Sequence, residues 1–291
     1  MTPTTSPLPL ERWGRGVLAE VERRLSGTQL GRWAFEFLMF GLKQGWACLF
    51  GGLMLGLLVV THLTWPEDAP VARYDFLVVG AVAIQVAMLA LKLESLEEAK
   101  VIFVFHVVGT IMELFKTAHG SWVYPEPGVL KIGAVPLFSG FMYAAVGSYL
   151  ARVWRIFRFR FTGYPPAWTT WILAAAIYVN FFAHHWLPDV RLGLFALTAI
   201  LFLRTWVWFT PDHVERRMPL LVGFGLVALF IWFAENLGTF SRAWIYPDQA
   251  GGWSPVSISK MGSWYLLMII SFVLVAVLHR EGRARTLSPS P

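Results

Sequence analysis

A chain of 291 residues that is 56% hydrophobic and only 14% charged is not an ordinary soluble protein, for which about 25% charged residues is usual. The net charge of +6 does not point to nucleic acid, because the basic residues stand between long apolar stretches, where they orient membrane segments. The single cysteine, Cys48, excludes an intramolecular disulfide and a cysteine-based metal cluster.

Residues 8 to 25, LPLERWGRGVLAEVERRL, set Leu10, Val17, Leu18, Val21 and Leu25 near one helical face among charges, the pattern of a helix lying on a membrane surface. The start lacks the basic, apolar and small-residue succession of a cleavable signal, so the first long apolar run is expected to remain as a span. Apolar runs follow at about 41–63, 74–92, 101–118, 132–151, 168–187, 191–209, 219–240 and 261–279. Each approaches the length of roughly 20 residues that a transmembrane helix needs. The expected fold is therefore all-α, a polytopic bundle of about eight transmembrane helices. A basic-aromatic connection, RVWRIFRFRFTGYPP, suits an anionic lipid surface. With the N-terminus inside, sixteen Lys and Arg fall in cytoplasmic segments and six on the opposite side. The positive-inside rule then puts both termini on the cytoplasmic side of the membrane.

Sliding the chain against itself by 122 residues aligns His62 with His184, Glu113 with Glu235, Trp122 with Trp244, Tyr124 with Tyr246, Pro125 with Pro247 and Tyr143 with Tyr265. Matches of this kind at one offset indicate duplication. The expected organisation is an N-terminal segment over 1–40, a four-helix repeat over 41–153, a linker over 154–162, a second four-helix repeat over 163–279 and a tail over 280–291. Four spans per half bring both halves in from the same side, so the repeats are parallel.

Ionisable groups inside hydrocarbon are costly and mark function by default. Glu113 and Glu235 fall in the last turns of the third and seventh spans, and His62 and His184 end the first and fifth, all at similar depth on the outer side. Lys116, three residues after Glu113, shares its helix face and is expected to pair with it. Glu235 lacks that partner, since Gly238 stands in the place of Lys116, and Asn236 follows it. His106, seven residues before Glu113, is a candidate proton relay. The loops holding Trp122, Tyr124, Trp244 and Tyr246 are expected to fold back over the bundle, with a substrate-facing lid as the alternative. His62 and His184 facing one another across the symmetry axis would suit a haem or metal. No phosphate loop, zinc-protease motif or nucleophile elbow is present.

The string ELFKTAHGSWVYPE from Glu113 to Glu126, followed by VPLFSGFMYAAVGSYLARVWR, resembles the bacterial integral membrane family called domain of unknown function 817, over most of the chain. A fainter similarity is to membrane carotenoid hydratases and cyclases, carried by Glu113, Gly120, Trp122, Tyr124 and Val135-Pro136-Leu137; the second half departs from it at Trp253-Ser254-Pro255. The expected function is acid/base chemistry on an isoprenoid-like or lipid substrate. Glu235 is the expected acid, Glu113 with Lys116 the base or counter-charge, His62 and His184 lie beside them, and the aromatic residues, His106 and Asn236 line the site. A proton- or cation-coupled transporter is the alternative, and a redox protein a lesser one. Membrane lipid is the expected partner.

Overall fold

The computed structural model describes residues 9–287; the outermost parts of the two terminal segments, 1–8 and 288–291, lie outside the described residues. Helix α1 (Pro9–Leu25) leads into α2 (Gln29–Ala47), capped by Thr28, whose hydroxyl accepts from Gly31 N at 3.0 Å. The chain bends by 67° at Cys48 into α3 (Leu49–Thr64). After α4 (Arg73–Ala90), a reciprocal cap between Ser95 and Glu98 starts α5 (Leu96–Ala118), satisfying two end amides at once. Strands β1 (Lys131–Ile132) and β2 (Val135–Pro136) form a small antiparallel hairpin before α6 (Phe138–Ile156).

Strand β3 (Arg160–Thr162) precedes α7 (Ala167–Ala183) and α8 (Arg191–Phe202). Strands β4 (Trp206–Phe209) and β5 (Arg216–Pro219) complete an antiparallel sheet in the order β3-β4-β5, with Arg160 opposite Trp208 and Val207 opposite Met218. Helix α9 (Leu220–Phe240) runs from this sheet to a loop containing a short 3-10 turn (Pro247–Gln249), and α10 (Ser259–Leu287) runs back.

The expectation of eight membrane-length spans is corrected. Four helical stretches among the described residues are long and apolar enough to cross a membrane: Arg73–Ala90, Glu98–Ala118, Leu220–Phe240 and Ser259–Ala276. The bent pair α2 and α3 makes a fifth if it counts as one span. Helix α8 has 12 residues, about 18 Å of helix against a hydrocarbon core of about 30 Å. It stops because Trp206, Val207, Trp208 and Phe209 pair as β4, a run of aromatic and β-branched residues that suits a strand. The segment 154–162 ends α6 and holds all of β3. Arg160 there is held by Glu215 at 2.7 Å and stands over the ring of Trp208.

Helices α5 and α6 make the closest packing. Gly109 lies against the ring of Tyr143, Gly140 against His106 and Thr110, and Gly147 against the ring of Phe105. Small residues at these three positions let the two backbones approach, as in helix pairs that cannot rely on the hydrophobic effect. The largest apolar core joins α7, α8, α9 and α10 and includes Phe202, Phe224 and Phe272.

Candidate functional site

Both glutamates are buried, each 4% exposed, and the two Tyr-Pro loops fold back onto them. Glu113 Oε2 accepts from Trp122 Nε1 at 2.7 Å and from Tyr124 Oη at 2.7 Å. Glu235 Oε1 accepts from Trp244 Nε1 at 3.0 Å and from Tyr246 Oη at 2.5 Å. The same three residue types make the same two bonds at positions 122 residues apart. A buried carboxylate without donors would be very costly, and these aromatic donors remove most of that cost while adding apolar surface. The residues between the donors pair across the two loops: Val123 and Ile245 form an antiparallel bridge. This brings the two halves of the site together, with the Trp122 and Tyr246 rings 6.1 Å apart.

Two residues complete the cage that the sequence did not single out as site residues. The Tyr143 hydroxyl on α6 reaches Glu113, and the Trp264 indole on α10 reaches Glu235. The carboxylates are near enough to act on one another electrostatically, and Tyr143 feels both. The 122-residue offset pairs Tyr143 with Tyr265, but Tyr265 packs on Phe195 and Phe224 instead, and its neighbour Trp264 does the equivalent work. One residue of slip on a helix turns a side chain by about 100°. Burial and the glutamate charges push the Tyr124 and Tyr246 hydroxyls well above the usual tyrosine range, so both are donors at neutral pH.

Several expected members of the site lie elsewhere. Lys116 turns away from Glu113: its Nζ stands 3.0 Å from His185 Nε2, 3.3 Å from His184 Nε2 and 4.2 Å over the Phe181 ring. His184 Nδ1 donates to the Asn180 carbonyl at 2.9 Å, which leaves Nε2 as the acceptor for Lys116. The cation beside Glu235 is Lys260, whose Nζ lies 4.1 Å over the Tyr246 ring. His62 sits edge-on to Phe240 and near Arg73 and Arg242, in surroundings unlike those of His184. Asn236 anchors backbone, donating to the Trp232 carbonyl at 2.8 Å and accepting from Val256 N at 2.9 Å. His106 lies one helix segment below, on α5, its ring 4.5 Å from that of Phe141.

The N-terminus of α4 holds both loops. Arg73 donates to Glu126 at 2.6 and 2.8 Å and to the Ser241 carbonyl at 2.9 Å, and Tyr74 Oη donates to the Ala243 carbonyl at 3.0 Å. Asp75 accepts from Val129 N and Leu130 N at 2.9 and 2.7 Å. Beneath the glutamates, an apolar cavity of about 40 Å³ is walled by Phe105, Met112, Tyr178 and Met268, with Tyr143 and Trp264 among its lining.

Residues 36–272 match the family model described as "Protein of unknown function (DUF817)". The "Uncharacterized protein YoaT" of Bacillus subtilis (strain 168) is 44% identical over 243 residues, 84% of this chain and 91% of that protein. A solved structure of a cross-linked MvINS trimer aligns with a TM-score of 0.46 and 14% identity, over 68% of this chain and 98% of that one. On the family match and the extent of the first relative, the chain belongs to the DUF817 family.

Proposed function

We propose that the chain is a multi-pass membrane enzyme that performs acid/base chemistry on an isoprenoid-like or lipid substrate, with Glu113 and Glu235 as the proton-handling pair. The carrying observation is the pair itself: two buried carboxylates near enough to act on one another, each gripped by aromatic donors, with Tyr143 and Trp264 linking them to an apolar cavity. Two neighbouring carboxyls in one dry site hold a single proton between them more readily than none, the arrangement an acid and a base require. The proton moves from the protonated carboxyl to a carbon-carbon double bond, and the resulting cation then loses a proton to the ionised partner or takes water. Aromatic faces around the cavity stabilise that cation. At about 40 Å³ the cavity holds little more than a water molecule, so a substrate chain enters only as the side chains of α5 and α10 move apart. Lys260 places a cation beside Glu235, whereas Lys116 was expected to place one beside Glu113.

This reading includes two parallel four-helix repeats over 41–153 and 163–279, both termini cytoplasmic, and the shorter helices as spans in a locally thinned or tilted setting. The repeated Glu-Trp-Tyr bonding supports it. A proton-coupled transporter is the second reading, favoured by the position of the carboxylates where the two halves meet.

Acid/base chemistry at carbon exchanges substrate hydrogen with solvent. Membrane vesicles containing the protein, incubated in D₂O, are expected to incorporate deuterium into an extractable apolar lipid, with incorporation falling at least tenfold in Glu235→Gln and Glu113→Gln. Incorporation no greater than in vesicles lacking the protein, together with pH-driven proton uptake, would favour transport.

A further inference from the structure

The C-terminal ends of α5 and α7 meet in a basic cluster that the bonding of the two glutamates does not use. Lys116 is buried, and its Nζ faces the Nε2 atoms of His185 and His184 at 3.0 and 3.3 Å. The rings of His184 and His185 stack with centroids 4.4 Å apart, and the exposed His119 lies against His185 at 4.7 Å. Arg191 and Lys260 are two further cations close enough to act on Lys116.

Negative charge is what this cluster lacks. The carboxylate that acts on Lys116, Asp189, is already held by Arg191 at 3.0 Å and by the Asn180 amide at 3.0 Å. Glu113, on the same helix, is taken up by Trp122, Tyr124 and Tyr143. Lys116 thus sets a buried charge against two imidazoles and the Phe181 ring, and a buried ion is costly until a counter-ion joins it. An ammonium facing both Nε2 atoms repels a metal ion from the same imidazoles, so the ligand that fits is an anion. Phosphate suits it, because its several oxygens accept from an ammonium and from protonated imidazoles at once.

The cluster stands between an exposed rim and the apolar cavity. At the rim, His119 packs edge-on to the exposed Trp186 at 5.2 Å, a residue type favoured at the level of lipid head groups. Inward, Phe115 lies 4.2 Å from His119 and 4.7 Å from Phe182, and Phe182 lies 4.8 Å from Tyr178, which walls the cavity beneath the glutamates. Met112, one turn before Phe115 on α5, walls the same cavity. A track of aromatic rings therefore joins the basic cluster to the glutamate site.

We propose that Lys116, His184 and His185 hold the phosphate of a lipid head group, with the lipid's apolar chain following Phe115, Phe182 and Tyr178 into the cavity below Glu113 and Glu235. This names the substrate class of the acid/base site and rests on that reading. Binding turns the Lys116 ammonium from the imidazoles to the phosphate, and the imidazoles take up protons and donate to it in turn.

The test titrates the full chain in a neutral detergent with farnesyl monophosphate, with farnesol and with inorganic phosphate, by calorimetry. The phosphate ester is expected to bind at least tenfold more tightly than either of the others. Lys116→Met, which keeps the volume and removes the charge, and His185→Phe are each expected to weaken the ester at least tenfold and to leave farnesol unchanged, with thermal midpoints confirming that both variants fold. Farnesol bound as tightly as its phosphate, or ester affinity unchanged in both variants, would overturn the head-group site. Inorganic phosphate bound as tightly as the ester would make the cluster a free-phosphate site and overturn the lipid assignment. Deuterium exchange reads the glutamates separately: exchange without Lys116-dependent binding would remove the head-group site alone, and Lys116-dependent binding without exchange would remove the acid/base reading alone.

Discussion

Val123 and Ile245 exchange both of their backbone hydrogen bonds, N to O at 3.0 Å in each direction. Each sits between a tryptophan and a tyrosine that hold a buried glutamate, so this one bridge fixes the two halves of the glutamate site relative to each other. The loops are braces for the carboxylates more than covers over the bundle.

Removing one donor from that brace leaves a buried carboxyl oxygen underbonded. Tyr246→Phe is expected to destabilise the protein by about 1–3 kcal/mol, and Tyr124→Phe by a similar amount, read as a fall in thermal midpoint in mild detergent. An unchanged midpoint in both variants would show that the tyrosine hydroxyls contribute nothing to holding the loops.

Gly238 has a structural cause that its alignment with Lys116 hides. A Cβ there would stand 2.2 Å from Trp244 Cη2, so Gly238→Ala displaces the indole from Glu235. The expected cost is about 1–3 kcal/mol, the usual range for overpacking. Quenching of tryptophan fluorescence and thermal unfolding together check it, and a fully tolerated alanine would contradict the packing described.

The paired Arg73 and Glu126 tie α4 to both loops. Arg73→Ala is expected to cost about 2–4 kcal/mol, somewhat below the full loss for a buried pair because Glu126 is 27% exposed. Proteolysis within 120–130 and 242–252 should accelerate with it; loops as resistant as in the wild type would argue that Arg73 is dispensable.

Acid should loosen the contact between α5 and the end of α7. Burial, and then the Lys116 ammonium beside it, holds His185 below the usual histidine value. A group with a depressed folded value is neutral above the unfolded value of about 6.5, and its stabilisation is lost as pH falls from there through the folded value. The thermal midpoint is expected to drop between pH 7 and pH 5, and to drop less in His185→Phe. An equal drop in the variant would place the acid sensitivity elsewhere.

Much of this was legible in the sequence and some was not, for identifiable reasons. The helices, the glutamates and the four aromatic donors follow from apolar runs and from matched strings, because repeated spacing imposes repeated geometry. The partner of Lys116 did not follow: a shared helix face permits Glu113, but His184 and His185 arrive from α7, a tertiary contact that no local spacing encodes. Asn236 looked like a site residue because it adjoins Glu235, whereas successive helix residues point about 100° apart and it turns to the Val256 backbone. Tyr143 and Trp264 were hidden by an offset that slips by one residue between α6 and α10. Helix α8 is shorter than the apolar run 191–209 implies because hydropathy does not distinguish a helix from the aromatic strand that follows it.

The parallel eight-helix reading places residues 70 and 245 on one side of the membrane and 157 and 285 on the other. Reporter fusions after those positions are expected to read outside for the first two and inside for the last two. Any split within either pair would contradict it.

The Glu113 and Glu235 pair is proposed to serve an apolar ligand. Native mass spectrometry with lipid extraction, comparing gently solubilised wild type with Glu235→Gln, tests it most directly. A co-purified isoprenoid or lipid is expected on the wild type and is expected to be lost or sharply reduced in the variant. An identical lipid complement on both proteins, or no bound organic molecule on either, would contradict it.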